Sequence, residues 1–184
     1  MASINGVTIR GLKKFYGHDG ETLYQGNVYY NGKKLGFWSQ DAYSGSDSFH
    51  FDTSVIQKAV DDYRDYSGKA EGFRKTLFST EIFMCDVLWL IREEKQYKKY
   101  AKSWYSVMIS VKSQHRCVFY AYSCNEKTEK KKEEAIRAYR KEAVRKFKKE
   151  APVREHDSIS VDTYTCLADF EKRYSAENAG KEAV

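Results

Sequence analysis

Apolar and polar residues alternate along much of the first fifty positions, and a period of two predicts strands. Val7 to Phe15 reads as one strand with loose alternation. Thr22–Tyr30 and Lys33–Gln40 flank Asn31-Gly32. Asn-Gly between β-prone runs marks a two-residue hairpin turn, because both central positions need positive φ. Pairing outward from that turn sets Tyr30 opposite Lys33, Val28 opposite Leu35 and Gly26 opposite Phe37, with Gly26 leaving room for the Phe37 ring. Tyr24, Val28, Tyr30, Leu35 and Phe37 then face the core, while Gln25, Asn27, Tyr29, Lys34 and Trp38 face away. On that outer face Tyr29 and Trp38 are either second-layer packing or a contact surface. A Ser/Gly/Asp-rich loop over 41–48 leads to a short strand, Phe49–Phe51.

The period then changes to that of helices. Asp52, Thr53 or Ser54 can cap a helix running to Tyr66, with Val55, Ile56, Ala59, Val60 and Tyr63 inward. Residues 67–72 read as a linker and the one internal boundary. A long helix is expected over 73–102. Its centre, IFMCDVLWLI, is apolar nearly all round and therefore buried, and its far end, REEKQYKKYAK, is amphipathic and solvated. Asp86, inside the apolar run, reads as a helix-edge or hydrogen-bonded carboxylate, with a catalytic role as the alternative. A second hairpin follows, 103–112 with 116–122, joined by Ser113-Gln114-His115. Tyr105, Val107, Ile109 and Val111 form its core face, and Trp104, Ser106, Met108 and Ser110 the other. A helix over 127–149 ends before Pro152. Ser158–Val161 is a last strand. Cys166, Leu167, Phe170 and Tyr174 fit one face of a closing helix. The expected fold is α+β: antiparallel β-hairpins packed on a long buried helix, plus a basic amphipathic helix. It makes a single domain over 1–174, with a β-rich lobe (1–66), a helical/hairpin lobe (73–174) and a flexible tail, 175–184.

Charge changes the picture at one place. Residues 127–149 hold eleven Lys/Arg and four Glu, a net +7, whereas the whole chain is +6. All of the net positive charge is local. At helical spacing Ile136, Tyr139, Ala143 and Phe147 share one stripe. Lys130, Arg137, Lys141, Arg145 and Lys148 fall opposite, flanked by Lys131 and Lys149. Crowded cations repel, and Lys130 to Lys132 lie near the positive end of the helix dipole, whereas Lys146, Lys148 and Lys149 at the other end are favoured by the dipole and need no function to explain them. Such a face is either solvated, with pairs such as Glu134–Arg137 or Glu142–Lys146, or directed at phosphates or an acidic protein. Arg140 points toward the apolar stripe and snorkels from its edge.

The 184 residues suit one domain that needs neither metal nor disulfide to be stable, and the 15% aromatic content supplies both core volume and contact residues. No run is long enough for a membrane helix, and the amino terminus lacks a signal-peptide layout, so a cytoplasmic protein is expected. Cys85, Cys117, Cys124 and Cys166 form no CxxC pair and read as reduced thiols. A zinc site drawing on His115, Cys117 and Cys124 matches no familiar spacing. His18, Asp19 and Glu21 in a Gly-flanked turn, with His50 and Asp52 further on, offer an acid–base or metal constellation, but that composition is first of all a turn. Gly-rich phosphate loops, GxSxG and HExxH are absent. No catalytic residue, cofactor or metal is expected.

The segment GLKKFYGHDGETLYQGNVYYNGKKLGFWSQDAYSGSDSFHFD, residues 11–52, resembles phage-type anti-CRISPR proteins of gut Firmicutes that inhibit the type II-A effector nuclease. The resemblance implies a non-catalytic, stoichiometric inhibitor whose partner is the guide-loaded RNA-guided nuclease, or the DNA or RNA bound to it. Many such inhibitors are acidic DNA mimics, and a basic face departs from that pattern. The competing readings are a small basic nucleic-acid-binding accessory protein of a mobile element, and an enzyme built on His18, Asp19 and His50. Either a monomer or a homodimer is compatible with the sequence.

Overall fold

Two Asn-Gly turns, not one, organise the first sheet. In the computed structural model, which describes residues 1–43, 45–70 (backbone alone over 67–70), 79–113, 116–150 and 159–174, both Asn5-Gly6 and Asn31-Gly32 have positive φ. The first joins strands β1 (Ser3–Ile4) and β2 (Val7–Tyr16), and the second joins β3 (Thr22–Tyr30) and β4 (Lys33–Ser39). The turns lie side by side, since Asn31 N donates to Gly6 O at 2.9 Å. With β5 (Ser48–Phe49) and β9 (Glu171–Lys172) these strands form a sheet in the order β5-β4-β3-β2-β1-β9. Every pairing is antiparallel except that of β1 with β9.

The β3–β4 register departs from the expected one. It starts as expected, Tyr30 opposite Lys33, but a bulge at Leu35 places Val28 opposite Gly36 and Gly26 opposite Trp38. One inserted residue inverts the alternation beyond it. Trp38, expected on the outer face, is therefore fully buried, and Phe37 is only half-buried. Gly26 makes room not for Phe37 but for β2: a Cβ there would lie 2.6 Å from Ile9 Cγ2 and 3.1 Å from Arg10 O. That contact adjoins a second bulge, between Arg10 and Lys13.

Asp52 caps the next element, its carboxylate accepting from Ser54 N at 3.0 Å. A 3-10 turn (Thr53–Ile56) leads into helix α1, Gln57–Ala70. Ile56, Ala59 and Val60 are buried, but Val55 is exposed because it sits in the tighter first turn. The helix continues through 67–70, where a linker was expected; 71–72 lie outside the described residues. Helix α2 is Thr80–Ala101, and its expected start at 73 also lies outside them. Phe83, Met84, Val87 and Leu88 are buried, and Asp86 accepts a 3.1 Å bond from the Tyr63 hydroxyl, the hydrogen-bonded reading.

The chain divides into two compact units, Met1–Arg92 with the chain from Phe170 onward, and Glu93–Asp169. The division falls inside α2, not at 67–72. In the second unit, strands β6 (Val107–Ser113), β7 (Arg116–Tyr122) and β8 (Ser160–Tyr164) form an antiparallel sheet in the order β7-β6-β8. Helix α3, Glu129–Glu150, packs Ala143 and Phe147 onto Val107, Ile109 and Val111. Met108 and Ser110, expected to face out, are buried too. The reason is that the amphipathic far end of α2 turns one side inward, while Lys95, Lys98 and Lys99 on its other side stay exposed. Glu93, Glu94 and Tyr97 are buried, and Glu93 accepts from Ser110 Oγ at 2.7 Å and from the Tyr164 hydroxyl at 2.6 Å. Tyr105, expected in the core, precedes β6 and is exposed. Beyond β8, the Asp169 carboxylate accepts from the backbone N–H groups of Thr165 and Cys166. This turns the chain into a 3-10 segment, Leu167–Phe170, and then β9, where a closing helix was expected. Of the four residues assigned to that helix, Phe170 is buried, while Cys166 and Leu167 are exposed.

Candidate functional site: the outer face of the third helix

Helix α3 carries ten Lys/Arg and five Glu in its 22 residues. It forms because its apolar residues recur at helical spacing and anchor one side: Ala143 and Phe147 are buried, and Ile136 and Tyr139 pack beside them. The Tyr139 ring stacks on Tyr122 with centroids 4.4 Å apart and planes 9° from parallel, and its hydroxyl donates to Ser123 O at 3.1 Å. These contacts fix the helix's rotation and turn the other side to solvent. Lys130, Lys131, Arg137, Lys141, Arg145, Lys148 and Lys149 are all exposed.

Neighbouring cations are partly neutralised. Lys146 pairs with Glu142 at 2.7 Å, Lys132 lies 3.9 Å from Glu129, and Arg116 of β7 binds Glu150 at 3.0 Å. None of the seven outer cations has an ion-pair partner among the described residues. At 1.5 Å per residue, Lys130 to Lys148 spans about 27 Å. Arg140 sits apart from them, reaching toward Val161 O at 3.4 Å.

The two aromatics singled out with these cations lie elsewhere. Trp38 is enclosed, its indole N–H donating to Asp47 Oδ2 at 2.8 Å. It is a core residue and not a contact residue, because the bulge at Leu35 turns it inward. Tyr29 is half-buried, with the Arg10 guanidinium 4.2 Å from its ring centroid. Both belong to the first unit, whereas α3 belongs to the second.

The imidazole–carboxylate constellation is held as a turn. Gly17 N donates to Glu21 O at 3.0 Å, Asp19 N to Glu21 Oε2 at 3.0 Å, and the His18 ring stacks on Tyr43. His50 is bound to β4 through its backbone, at 2.8 Å from Phe37 O. Among the described residues no three His, Cys, Asp or Glu are grouped to hold a metal; His115 lies outside them. A cleft of about 290 Å³ in the first unit is lined by Asn5, Tyr30, Asn31, Lys58, Asp62 and Arg173, with Lys58 already paired to Asp62 at 3.0 Å.

Three exposed residues near the end of α2, expected outside the core, were assigned to no site by the sequence: Lys99, Lys102 and Trp104. The pattern KKYAKSWY, basic and aromatic residues interleaved, was the available signal. It was hidden because Trp104 reads equally well as the first residue of an alternating strand. No described helix is long and apolar enough to cross a membrane. The chain matches no protein-family model, no curated protein and no solved structure.

Proposed function

We propose that this protein acts by binding rather than catalysis, and that the outer face of α3 is its contact surface for an anionic macromolecular target. The observation carrying this reading is the line of seven exposed cations without ion-pair partners among the described residues. A helix face meant only for solubility is normally laced with i,i+4 pairs, and here the pairs sit at its margins. The target is a guide-loaded type II RNA-guided nuclease, whose bound nucleic acid presents phosphates; this identity rests on the resemblance of residues 11–52. Contact with those phosphates would hinder DNA engagement or nuclease-domain docking. The charge sign argues against DNA mimicry. The same face also supports a second reading, direct binding of free nucleic acid as an accessory protein.

A cleavage assay with guide-loaded nuclease and rising amounts of the protein tests the first reading. Stoichiometric loss of cutting is expected, and reversing Lys130, Arg137, Lys141 and Arg145 to Glu should abolish it. Unchanged cutting at large excess, with affinity for bare DNA that falls steeply with salt, selects the accessory reading. For about five phosphate contacts the log–log salt slope is about −4 to −5.

A further inference from the structure

Helix α2 ends in a Schellman motif. Tyr105 N donates to Tyr100 O at 3.4 Å and Trp104 N to Ala101 O at 3.3 Å, which are the outer and inner bonds of that cap. The residue between them must adopt the left-handed conformation, and glycine or asparagine usually fills the position. Here it is Trp104, at φ 66°. The residue is 90% exposed, the most of any large apolar residue described. A tryptophan at this position contributes little on either count: its backbone is in a conformation that disfavours a Cβ, and its ring buries almost nothing. Strained, solvent-facing residues of this kind gather at binding sites.

The surroundings are those of a nucleic-acid contact. Lys99 and Lys102 are exposed within five positions of Trp104, and neither has an ion-pair partner among the described residues. Tyr100 and Tyr105 meet edge to face beside it, with centroids 6.0 Å apart. Trp104 is also tied to the basic helix. Its carbonyl accepts from Ser123 Oγ at 3.3 Å, and Ser123 O accepts from the Tyr139 hydroxyl of α3 at 3.1 Å. An exposed indole flanked by cations, in the same unit as the longer line of cations on α3, is the combination that binds single strands: cations follow the phosphates and the ring stacks on a base. Duplex bases are already stacked on one another and offer no free face.

We propose that Trp104 stacks on an unpaired base, and that the ligand of the α3 face is single-stranded nucleic acid, with Lys99 and Lys102 extending the phosphate track. This rests on the reading of α3 as a contact surface. The two are separable by measuring, with the full-length protein, fluorescence anisotropy of an oligothymidylate and of a duplex of equal length. Wild-type protein should prefer the single strand. Trp104→Ala should weaken single-strand binding about tenfold, Trp104→Phe should retain most of it, and duplex affinity should stay within about twofold. Equal loss on both probes, no loss on either, or no wild-type preference for the single strand overturns the stacking assignment. If reversing Lys130, Arg137, Lys141 and Arg145 also leaves both affinities unchanged, the α3 reading fails as well; if that reversal abolishes binding while Trp104→Ala does not, only the stacking assignment falls.

Discussion

The hydroxyl of Tyr164 donates a 2.6 Å hydrogen bond to Oε2 of Glu93, a carboxylate that is 1% exposed. The other oxygen, Oε1, accepts from Ser110 Oγ at 2.7 Å and lies 2.7 Å from Lys112 Nζ, which also binds Asp162 at 3.0 Å. The buried charge is thus fully partnered, and removing one partner leaves others unsatisfied. Tyr164→Phe should cost about 2 kcal/mol and Glu93→Ala about 3 kcal/mol. Urea titration measures both, and a Tyr164→Phe midpoint equal to the wild-type one would contradict this account.

The alkaline limit of stability should carry the signature of Tyr122. Burial, with Glu142 nearby, pushes its phenol up to about 12. Below its ordinary value of about 10 the proton is held in both folded and unfolded chains. Between about 10 and 12 the unfolded chain releases it first, so stability falls as pH rises. Lys112 acts in the same sense: burial opposes its charge, but Asp162 and Glu93 outweigh that and raise its pKa. Tyr122→Phe should flatten the decline measured by thermal melts across this range. At neutral pH it should stabilise by up to about 1 kcal/mol, because the hydroxyl is buried without a hydrogen-bond partner among the described residues while the ring stack on Tyr139 survives.

Cysteine labelling should be ordered by environment. Burial, with the carboxylates of Asp47, Asp86 and Glu81 nearby, pushes the Cys85 thiol up to about 11. Its thiolate fraction is then about a hundredfold below that of an ordinary cysteine. Cys166 is exposed. Alkylation followed by peptide mass mapping should find Cys166 modified first and Cys85 last. The reverse order would mean that the packing around Cys85 opens in solution.

Trp104→Gly should raise stability by about 0.5–1 kcal/mol while weakening ligand binding, since glycine suits the left-handed cap. A variant less stable than wild type in chemical denaturation would show that the indole is packed after all.

Gly26→Ala should destabilise by about 1–3 kcal/mol, because its methyl group would meet Ile9 Cγ2 at 2.6 Å and the Arg10 carbonyl at 3.1 Å. Calorimetry reads this directly; an unchanged melting temperature would mean that the β2 bulge yields at no cost.

What was legible in the sequence follows from which signals are local. The Asn31-Gly32 turn, the Asp52 cap and the 3.6-residue stripe of α3 depend on neighbours a few positions apart, and each lies where it was expected. The bulge at Leu35 depends on how β4 meets its partners, and it sent Trp38 inward against the alternation read from the turn. Glu93 and Glu94 look solvated because charge usually is; Glu93 is buried because Ser110, Lys112 and Tyr164, distant in sequence, supply its partners. The cationic face was visible because helical periodicity alone assigns it. Trp104 was not, because its meaning comes from a cap that only backbone geometry reveals.

The parallel pairing of Ser3 and Ile4 with Glu171 and Lys172 has a consequence in time as well as space. Synthesis runs from the amino-terminal side, so the β1 edge of the first sheet waits for a strand made only after the second unit. All residues of the second unit, Glu93–Asp169, emerge before that strand does. Of the two, the unit bearing α3 is the one that can complete its sheet first on the ribosome, with its cations already displayed while the other still lacks an edge.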